Sequence, residues 1–171
     1  LLMVNSGQSC AAPTRLLVPR FRMDEAAEIA ASIAGSAVIG DPGDEDVTLG
    51  PLANKNQFNK VQNMIEIGIS EEAKLIHGGA GRPDGLTKGY FVKPTIFSDV
   101  KNSLEIARQE IFGPVLCIIP YDDEDQAIKI ANDSDYGLSG YVYADDHAHA
   151  LSIARRLRTG SVFINGADID P

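Results

Sequence analysis

The sequence predicts an α/β fold: a mostly parallel open sheet with helices on both faces. Three observations predict it. Short runs rich in branched apolar residues, such as 115–120 and 161–165, recur along the 171 residues. Between them lie segments whose apolar residues return every three or four positions, the period of a helix with one dry face. In the last third the order is strand, helix, strand, helix, strand, and strands joined through helices run parallel by right-handed crossovers. A sheet built that way is covered on both faces.

Taken in order, residues 1–4 are apolar but too few to show a period, and fit either a strand or the end of a helix. Residues 5–13 (NSGQSCAAP) should turn, because Gly7 tolerates unusual dihedrals and Pro13 has no amide hydrogen to donate. The turn would expose Cys10. Residues 14–19, bounded by Pro13 and Pro19, predict a strand. From 24 to 38, Ala26, Ile29, Ala30, Ile33 and Ala37 form the apolar face of an amphipathic helix, with Asp24 and Glu25 at its positive end.

Residues 40–53 predict a long loop of glycine, proline and aspartate. Its acidic cluster, Asp41, Asp44, Glu45 and Asp46, lacks the ligand spacing of a calcium loop and is expected to be solvated. A second helix follows with Phe58, Val61, Ile65 and Ile69 on its buried side. Residues 73–76 and 90–97 predict two strands around the glycine-rich turn 77–85. A G-x-G-x-x-G fingerprint between a strand and a helix occurs nowhere in the chain, so no dinucleotide-binding turn of that kind is expected.

Residues 115–120 predict an apolar strand, and Asp123-x-x-Gln126 resembles a capping box opening a helix through Ile130 and Ala131. Residues 138–143 predict a strand. Residues 146–158 predict a helix with Ala150, Ile153, Ala154 and Leu157 inside. Arg155, Arg156 and Arg158 would lie at its negative end, with Gly160 placed to cap it. A final strand is expected at 161–165.

Composition narrows the function classes. The length suits one domain with a sizeable core. A net charge of −9 argues against a nucleic-acid partner, which needs a basic surface. The longest apolar run, 115–119, is far too short to span a membrane. Two cysteines do not make a disulfide framework, so a reducing, cytoplasmic-type compartment is the expectation. Opening on Leu-Leu-Met-Val, the chain is expected to be a piece cut from a longer protein. His147 and His149, two apart on a helix, point to different faces and do not suggest a metal pair; His77 is expected at a solvated turn. No metal site is expected.

The chemistry-bearing candidate is Cys10. A thiolate on a turn can attack an electrophilic carbon while neighbouring backbone N–H groups hold the oxyanion that results. The bland alternative is a half-buried structural thiol.

Asn5-x-Gly7-Gln8-x-Cys10, followed by Arg15 and Val18, resembles the active-site cysteine signature of the aldehyde dehydrogenases. Glu110-Ile111-Phe112-Gly113-Pro114-Val115, 100 residues beyond Cys10 (110 − 10), resembles that family's second signature. Residues 89–95, Ala131-Asn132 with Tyr136-Gly137-Leu138-Ser139-Gly140, and Gly160-Ser161-Val162-Phe163-Ile164-Asn165 also match in the family's order. The resemblance covers essentially the whole chain and implies the α/β fold of that family's catalytic domain.

It further implies that Cys10 attacks an aldehyde to give a thiohemiacetal, which loses hydride to a nicotinamide and leaves a thioester for hydrolysis. The N–H of Cys10 would be one oxyanion donor, and an asparagine outside this chain the other. Glu110 and Phe112 would position the ribose and ring of NAD or NADP; on their own they would read as a solvated carboxylate and a core aromatic. Asn165 would support the active-site cavity, and Asp168 and Ile169 fall where the family's substrate-tunnel residues begin. Residues 1–171 would then be a partial catalytic domain. The dinucleotide-binding domain, the general base and the C-terminal arm that pairs subunits would lie elsewhere in a homo-oligomeric enzyme, and the chain alone should have negligible activity. Two readings from other classes stay open here: a cofactor-independent thiol acyl hydrolase or transferase, and a non-catalytic assembly domain.

Overall fold

A computed structural model of the chain describes residues 2–166. Within them the elements are β1 (Arg15–Pro19), α1 (Met23–Gly35), α2 (Lys55–Ser70), β2 (Lys74–His77), β3 (Thr95–Ser98), α3 (Glu105–Arg108), β4 (Val115–Tyr121), α4 (Glu124–Asn132), β5 (Ser139–Val142), α5 (His147–Ala154) and β6 (Ser161–Ile164). Two 3₁₀ turns, Val4–Gly7 and Arg20–Arg22, precede α1. The chain divides into two compact units, Leu1–Pro120 and Tyr121–Pro171. Among the described residues no helix is long and apolar enough to cross a membrane.

The first unit is built on a four-stranded sheet in the order β1-β4-β3-β2. β3 and β4 are parallel, Thr95 opposite Val115 and Phe97 opposite Cys117, while β2 joins β3 antiparallel. All four residues of β3 are buried, as a strand covered on both faces requires. Successive side chains point to opposite faces. Ile96 and Ile118 meet Ala34 of α1 on one side. On the other, Phe97 lies under α2, where a Cβ built on Gly68 would come within 2.9 Å of the Phe97 ring. Helices therefore cover both faces, and the fold is the mixed α/β class expected. The second unit pairs β5 with β6 in parallel and buries Val142 against Ala150 and Ala154 of α5.

Several expectations need correction. The strand expected at 90–97 is only Thr95–Ser98, because Pro94 has no N–H for a ladder and pairing begins with Thr95 N donating to Pro114 O at 2.8 Å. The helix expected to reach 158 stops at Ala154. The Asn132 side chain takes the next backbone groups, donating to Arg156 O at 2.9 Å and accepting from Arg158 N at 2.7 Å. Ile29 and Ile33 of α1 are 53% and 59% exposed, as is Ile69 of α2 at 45%. The small side chains Ala26, Ala27, Ala30 and Ala34 face the sheet instead, which lets helix and sheet approach closely. His77 ends β2 and is half-buried beside Gly35, so it is not at a solvated turn. The opening apolar residues lead into a 3₁₀ turn, and α3 is too short for periodicity to have shown it.

Candidate active site

Cys10 stands exposed on the turn between Gly7 and β1. The approach to it is strained. Asn5 (φ 49°), Ser6 (φ 56°) and Gly7 (φ 74°) are three consecutive left-handed residues, a conformation costing a non-glycine residue roughly 1–2 kcal/mol. Hydrogen bonds hold it. Ser6 N donates to Met3 O at 3.1 Å and Gln8 N to Asn5 O at 3.0 Å, while Asn5 Nδ2 reaches Gln8 O at 3.0 Å. The buried Ser6 hydroxyl donates to Gly50 O at 2.8 Å, and Gln8 Oε1 accepts from Ala53 N at 2.8 Å. Beyond Cys10, Ala11 N donates to Ser9 Oγ and Ala12 N to Ser9 O.

Gly7 is also where the two signatures meet. A Cβ built there would lie 2.3 Å from the carbonyl carbon and oxygen of Gly113 and 2.7 Å from Pro114 N. Only a residue with neither a Cβ nor a penalty for positive φ fits. The cysteine loop and the loop carrying Glu110 and Phe112 thus touch backbone to backbone.

That second loop is held from behind by α2. Asn54 caps the helix, its side chain accepting from Gln57 N at 2.9 Å. One turn in, Gln57 Nε2 donates to both Ile111 O (2.9 Å) and Phe112 O (2.8 Å), and Lys60 Nζ donates to Glu110 O at 2.6 Å. Three successive carbonyls are engaged, and Phe112 is kept left-handed at φ 58°. The Glu110 side chain is exposed and the Phe112 ring half-buried. The loop thus presents an exposed carboxyl group and a half-buried aromatic ring on a fixed backbone.

Cys117 is the contrasting thiol. It is 2% exposed in β4, with Sγ 3.6 Å from Ile106 O, and burial pushes its pKa up to about 12. A thiol kept protonated and out of reach is inert.

The other candidates lie in the second unit or past the described residues. Asn165 (φ 57°) continues β6: its N–H donates to Val142 O at 2.9 Å, and its side chain both accepts from Ala144 N and donates to Ala144 O, each at 2.9 Å. The side chain thus acts as an extra strand residue. Asp168 and Ile169 lie outside the described residues. Among the described residues no group of three His, Cys, Asp or Glu could hold a metal, and His149 is engaged with Glu124 of α4 at 2.5 Å. Sequence reasoning missed Gln57 and Lys60, and treated 50–53 as solvent-facing loop. The available signal was their i, i+3 spacing in the first turns of α2, each four residues before a buried position, Val61 and Met64.

The fold and the site define an α/β domain that presents an exposed cysteine against a loop bearing an exposed carboxylate and an aromatic ring. The model of the aldehyde dehydrogenase family matches residues 2–170. The chain belongs to the aldehyde dehydrogenase family. It is 55% identical over 169 residues to a 3-succinoylsemialdehyde-pyridine dehydrogenase of a Pseudomonas species, covering 99% of this chain and 35% of that protein. Geranial dehydrogenase of Castellaniella defragrans is 46% identical over 164 residues, 96% of this chain and 34% of its own length. Among solved structures, aldehyde dehydrogenase C of Pseudomonas syringae, a cysteine-to-alanine mutant complexed with NAD+ and octanal, superimposes with a TM-score of 0.97 at 50% identity, over 99% of this chain and 35% of that one. A Mycobacterium tuberculosis aldehyde dehydrogenase complexed with NAD+ gives 0.95 at 45%, with the same coverage. The chain thus spans about a third of the length of the relatives it matches.

Proposed function

We propose that residues 1–171 are the cysteine-bearing part of the catalytic domain of an NAD-dependent aldehyde dehydrogenase. The observation that supports this is the backbone contact of Gly7 with Gly113 and Pro114, by which the turn carrying Cys10 meets the loop of Glu110 and Phe112. The Cys10 thiolate adds to the aldehyde carbon, and its own N–H, for which no acceptor is found among the described residues, takes the developing oxyanion. Glu110 binds the ribose hydroxyls and Phe112 packs against the ring of the dinucleotide, supported from behind by Gln57 and Lys60. Bound NAD+ supplies the acceptor for the hydride lost from the thiohemiacetal carbon. The sulfur then leaves the thioester as water enters, giving the acid.

NAD is favoured by the NAD+ complexes of the two solved relatives. The resemblance carries with it a homo-oligomeric assembly, a dinucleotide-binding domain and C-terminal arm elsewhere in the full-length protein, and a cytoplasmic location. Two free cysteines accord with a reducing compartment. By the resemblance, Asn165 would give structural support, and Asp168 and Ile169 fall where the family's substrate-tunnel residues begin. The test is aldehyde-dependent reduction of NAD+ by the full-length protein. Cys10→Ala should abolish it, and the 171-residue chain alone should show none; activity surviving Cys10→Ala would overturn the assignment.

A further inference from the structure

Gln8 sits two residues before the nucleophile, and its side chain works on a segment far away in sequence. Its Oε1 accepts from Ala53 N at 2.8 Å and its Nε2 donates to Asn5 O at 3.2 Å. Asn5 O already receives the Gln8 backbone N–H at 3.0 Å, so the side-chain amide is a second donor there, whereas the acceptor to Ala53 has no substitute. Three residues before Ala53, Gly50 O takes the Ser6 hydroxyl. The lead into Cys10 is therefore pinned at two points on 50–53.

That anchor is itself rigid. Leu52 is 3% exposed and its N–H donates to Tyr90 O at 3.0 Å; Asn54 caps α2 directly afterwards. Cys10, by contrast, makes no hydrogen bond of its own among the described residues. Its N–H direction is inherited through Ser9 from Gln8. Two left-handed residues upstream, Asn5 and Ser6, would relax if the pins were released.

The geometry points to Gln8 as a positioning residue that aims the Cys10 N–H at the oxyanion by anchoring the strained turn to Ala53. This deepens the proposed function and rests on it. The role belongs to steps in which an oxyanion forms on a carbon bonded to Cys10 sulfur. It is absent from a simple displacement at that sulfur, and the two can be separated.

The experiment uses the full-length protein and its Gln8→Met and Gln8→Glu variants. Met keeps the length and removes both side-chain hydrogen bonds; Glu keeps an acceptor for Ala53 N. The first readout is acylation by p-nitrophenyl acetate without cofactor: Cys10 sulfur bonds the acetyl carbon, the bond to the aryl oxygen breaks, and p-nitrophenolate leaves. The second is alkylation of Cys10 by iodoacetamide, which displaces iodide and develops no oxyanion. Protection of Cys117 reports folding. Gln8→Met should slow acylation about tenfold, the weight of one hydrogen bond, with alkylation unchanged and Cys117 protected. Gln8→Glu, which keeps the acceptor for Ala53 N but turns a carboxylate oxygen toward Asn5 O, should lose clearly less than Gln8→Met. Equal acylation in Gln8→Met and the unaltered protein overturns the role, as does a Gln8→Glu loss as large as that of Met, or parallel losses of acylation and alkylation. No acylation of the unaltered protein would sink the nucleophile assignment as well.

Discussion

The two cysteines differ in what their surroundings do to the thiol. Cys117 is closed in by β4 and α3, and desolvation raises its pKa from an ordinary 9.0 to about 12; the nearby Arg15 charge opposes the rise weakly. Below pH 9 the thiol is protonated both folded and unfolded, and its contribution to stability is complete. As pH climbs from 9 to about 12, only the unfolded chain releases the proton, so stability falls by about 1.4 kcal/mol per pH unit. Denaturant unfolding across this window should show a steeper decline for the unaltered chain than for Cys117→Ala. The alanine variant starts lower because it leaves a cavity. An equal slope in both would mean that the thiol is not desolvated. Cys10, exposed on its turn, should be the cysteine that reagents reach at neutral pH. Its motif made it legible in the sequence; the strain at Asn5 and Ser6 was not, because neither residue type demands positive φ.

At the scale of elements, α2 and the segment just before it hold the two loops: Gly50 and Ala53 take the cysteine loop, Gln57 and Lys60 the loop at 110–112. The buried stripe of α2, Val61, Met64 and Ile65, was legible from spacing alone. Its polar contacts were not, because Gln57 and Lys60 act on carbonyls some 50 residues away, and no local period marks a partner at that distance. Gln57→Ala frees the carbonyls of Ile111 and Phe112, so the left-handed Phe112 loses its restraint. KM for NAD+ in the full-length protein should rise about tenfold, while cofactor-free acylation of Cys10 stays unchanged. Steady-state kinetics against NAD+ checks this, and an unchanged KM would remove α2 from the cofactor side. β3 shows a limit of the same kind: its apolar run extends past Pro94, yet the ladder cannot.

Over the whole molecule, fold class and the order of the longer elements followed from the sequence, because period and punctuation are local; the short α3 did not. Which face of α1 is buried followed only in part: Ala26 and Ala30 of the expected stripe pack on the core, whereas Ile29 and Ile33 do not. The larger residues made the obvious stripe, but the close helix–sheet approach selected the alanines. Ile29 and Ile33 are left lining an open apolar groove of about 360 Å³ with Leu2, Leu16, Ile96 and Leu116. An exposed patch of this sort binds hydrophobic dyes. Ile29→Glu with Ile33→Glu should cut dye binding by the 171-residue chain severalfold and change its stability by no more than about 1 kcal/mol, counting about 0.5 for each exposed site. Undiminished fluorescence would place the dye elsewhere.

The seam between Gly7 and Gly113 is made of main chain, and main chain offers selection nothing to adjust. Two loops in side-chain contact can drift apart by trading a large residue for a small one on either side. Here no such trade exists, so at Gly7 and Gly113 no side-chain substitution can tune how closely the two loops approach. Any variation in this part of the chain must accordingly be written around the seam, while the meeting of the Cys10 turn with the loop of Glu110 and Phe112 stays as a fixed datum from which the rest is measured.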